Sequence, residues 1–195
     1  MIRAFVGVRI DPDMARKISE VQSQLKQSLP GIRWVSPEAL HFTLKFLGAV
    51  KEEKVVPIVD ALHAMVRATP RFSIVGRGIG VFPDVRKARI LWVGLAAEPL
   101  APLAMEVEKA LEPIGFAPEK RSFRPHLTIG RWRNFDGQWE LLQREIQRWG
   151  QYDFGETRVE EVVLFQSILR PEGAVYSPLR LIPLSQQRAV LQCKM

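Results

Sequence analysis

Two short segments of this 195-residue chain carry one chemical pattern: His41-Phe42-Thr43-Leu44 and His126-Leu127-Thr128-Ile129, each a histidine and a threonine two residues apart among apolar neighbours. Alternation of that kind belongs to a half-buried strand, whose successive side chains leave opposite faces. His and Thr then share a polar face, while Phe42, Leu44, Leu127 and Ile129 enter a core. The copies start at positions 41 and 126, which predicts the working strands of two similar halves whose polar faces meet across a cleft. Two facing imidazoles can act as acid and base.

The segments around them repeat in outline. Residues 2–10 read as a strand, and Asp11-Pro12-Asp13 opens a helix to about Leu29 whose stripe is Met14, Ile18, Val21 and Leu25. Pro30-Gly31 stops it, and Ile32–Val35 leads to the first His/Thr strand, 40–47, which Gly48 is expected to end. A helix over 52–67 presents Val55, Val59, Leu62 and Val66. Strands at 71–80 and 89–96 form a hairpin around Pro83-Asp84. A third helix spans 99–113, the second His/Thr strand 124–130, and a fourth helix 136–149. Two closing strands, 157–169 and 174–183, flank the turn Pro171-Glu172-Gly173. Long strands with only four helices favour an α+β fold with mixed or antiparallel sheets over a doubly wound one. No Gly/Ser-rich or charged linker divides the halves, so residues 1–195 are expected to form one bilobal unit.

Composition narrows the partners. With 28 Lys and Arg against 21 Asp and Glu, the formal charge is +7, a field that favours anions such as nucleic acid. No apolar run approaches the length of a membrane span. The N-terminus is too soon interrupted by Arg9 and Asp11 for a signal peptide. One cysteine, Cys193, excludes an intramolecular disulfide and fits a reducing cytoplasm.

Several chemistries lack their residues. No His-Glu-x-x-His, spaced cysteine pair or carboxylate cluster accompanies either histidine, so neither a metal nor a cofactor is expected. Gly76-Arg77-Gly78-Ile79-Gly80 is a poor dinucleotide fingerprint and reads as a twisted or bulged strand. No Gly-x-Ser-x-Gly elbow is present. The third histidine, His63, has no paired threonine and reads as a surface or boundary residue beside the apolar face of the second helix. Two imidazoles near neutral pH are well suited to splitting a phosphodiester without metal: one can take a proton from attacking water while the other protonates the departing alkoxide. Thr43 and Thr128 can donate to nonbridging phosphate oxygens.

His41-Phe42-Thr43-Leu44-Lys45-Phe46-Leu47-Gly48 and Arg124-Pro125-His126-Leu127-Thr128-Ile129-Gly130-Arg131 resemble the paired signatures of the two-histidine phosphoesterase superfamily, and more closely its bacterial and archaeal RNA 2',3'-cyclic phosphodiesterases, also named 2'-5' RNA ligases. Arg3–Val8 and Ser167–Leu179 resemble the family's opening strand and its closing strand, turn and strand. The resemblance implies a bilobal fold with pseudo-twofold symmetry and opening of an RNA 2',3'-cyclic phosphate to a 2'-phosphate, with reversible 2'-5' ligation in many members. It makes His41 the acid toward the 3' oxygen and His126 the base toward water, with Thr43, Thr128 and Arg131 on the phosphate.

Strand parity adds Lys45 beside His41 and Arg124 beside His126 as substrate contacts, each also readable as an ordinary surface cation. Trp34 and Phe123, just before the two strands, are candidates to stack a terminal base or to anchor the core. Ser167 and Tyr176 are candidates to border the cleft. The expected partner is an RNA end carrying a cyclic phosphate, acted on by a monomer. The alternatives are a small cyclic nucleotide as substrate, or an RNA-end-binding protein with little turnover.

Overall fold

The computed structural model describes residues 1–170 and 173–186; Pro171, Glu172 and Cys193 therefore lie outside the described residues. Nine strands and four α-helices appear within them. The first half contains β1 (Ile2–Arg9), α1 (Pro12–Ser28), β2 (Ile32–Trp34), β3 (His41–Val50), α2 (Val55–Val66) and β4 (Phe72–Phe82). The second contains β5 (Ile90–Ala96), α3 (Leu100–Leu111), β6 (His126–Trp132), α4 (Trp139–Trp149), β7 (Asp153–Val159), β8 (Glu161–Arg170) and β9 (Gly173–Pro183).

Two antiparallel sheets result, ordered β3-β1-β8-β9 and β2-β6-β5-β4-β7. Each histidine strand lies beside the strand that precedes it across a helix: β1 and β3 flank α1, and β5 and β6 flank α3. The third strand of each set is exchanged. β4, from the first half, pairs with β5, while β8, from the second half, pairs with β1. Each lobe thus holds strands from both halves, which accounts physically for the lack of a linker between them.

α1 buries Met14, Ile18, Val21 and Leu25, the expected stripe, and α2 buries Ile58 with Leu62 and Val66. Together with Phe42, Leu44, Leu127 and Ile129 these residues belong to one core. A second, smaller cluster of Phe5, Val163 and Phe165, with Tyr176 against it, forms on the other face of the first sheet. It arises because β1 is apolar on both faces: Ala4, Val6 and Val8 enter the main core while Phe5 points away from it. No described helix is long and apolar enough to cross a membrane.

Two boundaries differ from the sequence reading. Gly48 does not end its strand: it takes φ 71° and β3 continues to Val50. Ala4 faces Gly48 and Phe5 faces Phe46, so Leu47 is an extra residue in a bulge, a place where a left-handed glycine bends a strand without stopping it. The single strand expected over 157–169 is two. β7 joins the second sheet beside β4 and β8 joins the first beside β1, the chain changing sheets at Glu160. Glu160 and Glu161 interrupt the alternation there, but no Gly or Pro marks the break. The glycines at 76–80 do lie within β4, where Gly78, at φ 65°, sits at a register shift.

Candidate active site

β3 and β6, although in different sheets, come within 8 Å of each other between Cα atoms. His41 and Thr43 occupy one of them and His126 and Thr128 the other, and all four side chains are half-buried. The two histidines are held alike. His41 Nδ1 lies 2.7 Å from the carbonyl oxygen of Ala39, and His126 Nδ1 lies 2.7 Å from that of Arg124. A carbonyl only accepts, so in both neutral rings Nδ1 carries the proton and Nε2 keeps its lone pair.

Their surroundings are aromatic. His41 rests on the second cluster, with ring centroids at 4.7 Å from Phe5, 5.7 Å from Phe165 and 4.6 Å from Tyr176, the last edge-on. Phe82 meets His126 edge-on at 5.0 Å and lies 5.2 Å from Trp92, which stands opposite Thr128 across the β5–β6 pairing. Burial first, and then the positive charge of Arg131, lower the His41 pKa from 6.5 to about 4 against the opposing effect of the Ala39 carbonyl. His126 is lowered for the same reasons, burial first, then the Arg131 charge, with the Arg124 carbonyl opposing. One guanidinium therefore acts on both imidazoles. Near neutral pH both rings are uncharged, each offering a bare Nε2, and an anion placed between them would favour the uptake of one proton.

A bulge brings Arg131 there. Thr128 faces Trp92 and Gly130 faces Leu91, so Ile129 has no partner on β5 and the alternation of faces is reset. Leu127 and Ile129 both stay in the core, and Arg131, which plain parity would turn away, shares the His126 face. β3 repeats the device. Gly7 faces Thr43 and Val6 faces Lys45, leaving Leu44 as the extra residue. The reset turns Lys45 inward, where it is 5% exposed and bound to Glu108 of α3 and to the carbonyl oxygen of Ala117 at 2.8 Å. Lys45 is thus on the other face from His41, a correction to the parity reading, and its ammonium is committed to an ion pair.

Phe46 takes the place that Arg131 holds on β6. Counted from the threonine, Leu44, Lys45 and Phe46 correspond to Ile129, Gly130 and Arg131. Phe46 is 72% exposed, with its ring 6.1 Å from Phe5. The sequence reading missed it, together with Phe5, Phe165 and Phe82. The bulge explains the omission, since unbroken alternation puts Phe46 in the core. Gly130 has its own reason: a Cβ there would meet Ile32 Cγ2 at 2.6 Å, because β2 packs directly against β6, whereas β3 is an edge strand with room for a lysine.

Other expected contacts lie elsewhere. Trp34 pairs with Gly130 one position from the Arg33–Arg131 pair, so it lies on the opposite face from Arg131, with Ile32 and Trp132. Its ring is half-buried against the core with Lys26 Nζ at 6.0 Å, which makes it an anchor. Phe123 is likewise half-buried against the core. The Arg124 side chain is exposed, and the residue reaches His126 through its carbonyl. Tyr176 borders His41, and Ser167 is its partner on β8. His63 is exposed on α2 beside Arg67 and Pro183.

The LigT like Phosphoesterase family model matches this chain twice, over residues 8–92 and 93–176. The chain belongs to that family. Its two matches each contain one His/Thr strand, as the repeat of bulge and hydrogen bond requires. The phosphoesterase is 37% identical over 187 residues, 94% of its length and 99% of the other, to a protein of Methanothermobacter thermautotrophicus named RNA 2',3'-cyclic phosphodiesterase. Its fold matches that of TT0787 of Thermus thermophilus with a TM-score of 0.79 at 26% identity, covering 93% of this chain and 97% of that one. Escherichia coli LigT, solved with 3'-AMP, matches with a TM-score of 0.74 at 23% identity over 95% and 99%, a likeness of fold.

Proposed function

We propose that this phosphoesterase hydrolyses the 2',3'-cyclic phosphate at an RNA end to a 2'-phosphate. The observation that carries the reading is the matched pair of imidazoles, each locked through Nδ1 and each presenting Nε2, around the single Arg131 guanidinium. The activity for which the relatives are named supports the substrate class.

His126 Nε2 takes a proton from water as its oxygen attacks phosphorus. The P–O3' bond breaks, and His41, protonated at Nε2, gives its proton to the leaving O3'. Thr43 and Thr128 donate hydroxyl hydrogen bonds to nonbridging oxygens, and the Arg131 fork neutralises the charge that builds on them. Phe46 offers a stacking surface to the terminal base beside the His41 cluster. With an RNA 5' hydroxyl in place of water the same proton transfers give a 2'-5' linkage, and their reversal breaks it.

The test is the product formed by chelator-treated protein from a short RNA ending in a 2',3'-cyclic phosphate. A 2'-phosphate formed without added metal supports the proposal. A 3'-phosphate would reverse the leaving group, and activity only with stoichiometric metal would overturn the two-imidazole reading.

A further inference from the structure

The bulge that delivers Arg131 has a dedicated support. Gln22, in the middle of α1, is 3% exposed although it is a polar residue with no charge partner. Its amide nitrogen donates to the carbonyl oxygens of Ile129 and Val35, both at 2.9 Å. Val35 N–H also donates to the Ile129 carbonyl oxygen at 3.0 Å. The residue without a partner on β5 is therefore gripped from two sides, by the chain after β2 and by a side chain rising from α1. An apolar residue would continue the helix stripe between Val21 and Leu25 at lower desolvation cost, so a buried amide here needs a reason.

We infer that Gln22 is a positioning residue for Arg131: by fixing the Ile129 carbonyl it holds the extra residue in β6, and so keeps the guanidinium on the face of His126 and Thr128. Side chains alternate with a period of two, so loss of the bulge would move Arg131 to the other face while leaving the histidine ahead of it in register. β3 reaches the same reset without this device, since Lys45 turns in to Glu108 and supports the strand from its own side. The inference rests on the proposed role of Arg131 toward phosphate.

The experiment compares Gln22→Met, Arg131→Met and the double variant, each first shown to fold by circular dichroism and thermal melting. Two quantities are read: kcat/KM on a 2',3'-cyclic mononucleotide, and the NMR titration of the His41 and His126 rings. Arg131→Met removes the charge that lowers both imidazoles, so both titrations should move to higher pH. Gln22→Met should move them in the same direction and lower kcat/KM about tenfold, the scale of one lost buried hydrogen bond. The double variant should be little worse than Arg131→Met, because both changes act through one guanidinium. If Gln22→Met does not fold, Gln22→Asn, which withdraws the amide by one methylene, should give the same signature.

A folded Gln22 variant with unchanged imidazole titrations overturns the inference, whether activity is kept or lost, and leaves the reading of Arg131 intact. Normal activity in Arg131→Met instead overturns that reading, and the inference with it.

Discussion

His41 and His126 make the same bond at the same length: each donates its Nδ1 proton to the carbonyl oxygen of the residue two positions earlier, at 2.7 Å. Both rings are also moved below 6.5 by burial and by the charge of Arg131. The proposed mechanism needs one ring protonated and the other neutral, a form most populated between the two pKa values. For the free enzyme kcat/KM is therefore expected to peak below pH 6.5 and to fall as pH rises. A profile flat to pH 8 would contradict this. Folding stability runs in the opposite direction, rising with pH. The His41 ring takes up a proton near 6.5 when unfolded but only near 4 when folded, so its contribution is full above 6.5 and is lost as pH falls toward about 4. In urea titrations His41→Asn should flatten that limb.

Thr43→Val and Thr128→Val keep the branch and remove the hydroxyl. Each should cost roughly 1–3 kcal/mol of transition-state stabilisation, the range for a hydrogen bond to a charged group or a developing oxyanion. Arg131→Lys should also reduce kcat/KM, because an ammonium cannot reproduce the planar fork. Steady-state kinetics on a cyclic mononucleotide decide both, and near-normal values for Arg131→Lys would remove it from the phosphate.

Lys45 and Phe46 are neighbours with opposite expected effects. Lys45→Met strands Glu108 and should lower the unfolding free energy by about 3 kcal/mol, with recovery in the Lys45→Met/Glu108→Leu pair. Phe46→Ala should leave stability nearly unchanged, since the ring is exposed, and should raise KM for nucleotide substrates with little dependence on base identity. Reversal of these two outcomes would mean that the β3 register is wrong.

Arg33 faces Arg131 across the β2–β6 pairing, and Arg89 and Arg133 are exposed at the same end of the sheet. An RNA longer than one nucleotide should therefore gain phosphate contacts that a cyclic mononucleotide cannot make, an advantage that shrinks as salt rises. Equal kcat/KM for short and long substrates at low salt would favour a small-nucleotide enzyme.

The paired His/Thr strands were legible because their signal is local: histidine, threonine and apolar alternation need only strand geometry, and the pattern occurs twice. Helix α1 was legible for the same reason, through its apolar stripe. What stayed hidden depends on partners distant in sequence. The bulges at Leu44 and Ile129 are set by β1, β5 and α1, so parity misplaced Lys45 and passed over Phe46. Phe5 and Phe165 went unmarked because strands buried on both faces carry little alternation to single out one side chain. The break at Glu160 follows from which sheet each half of the segment joins.

The division of labour between the histidines is tested most directly by a cyclic phosphate whose 3' oxygen is replaced by sulfur, since a thiolate leaves without being protonated. On the ordinary substrate His41→Ala and His126→Ala should each lose at least about 100-fold, the usual cost of removing a general acid or base, while His63→Ala stays within severalfold. On the sulfur substrate His41→Ala should recover to within about tenfold of the unaltered protein, and His126→Ala should remain as impaired as before. Recovery of His126→Ala instead would exchange the two roles, and undiminished losses in both variants would contradict acid catalysis by His41.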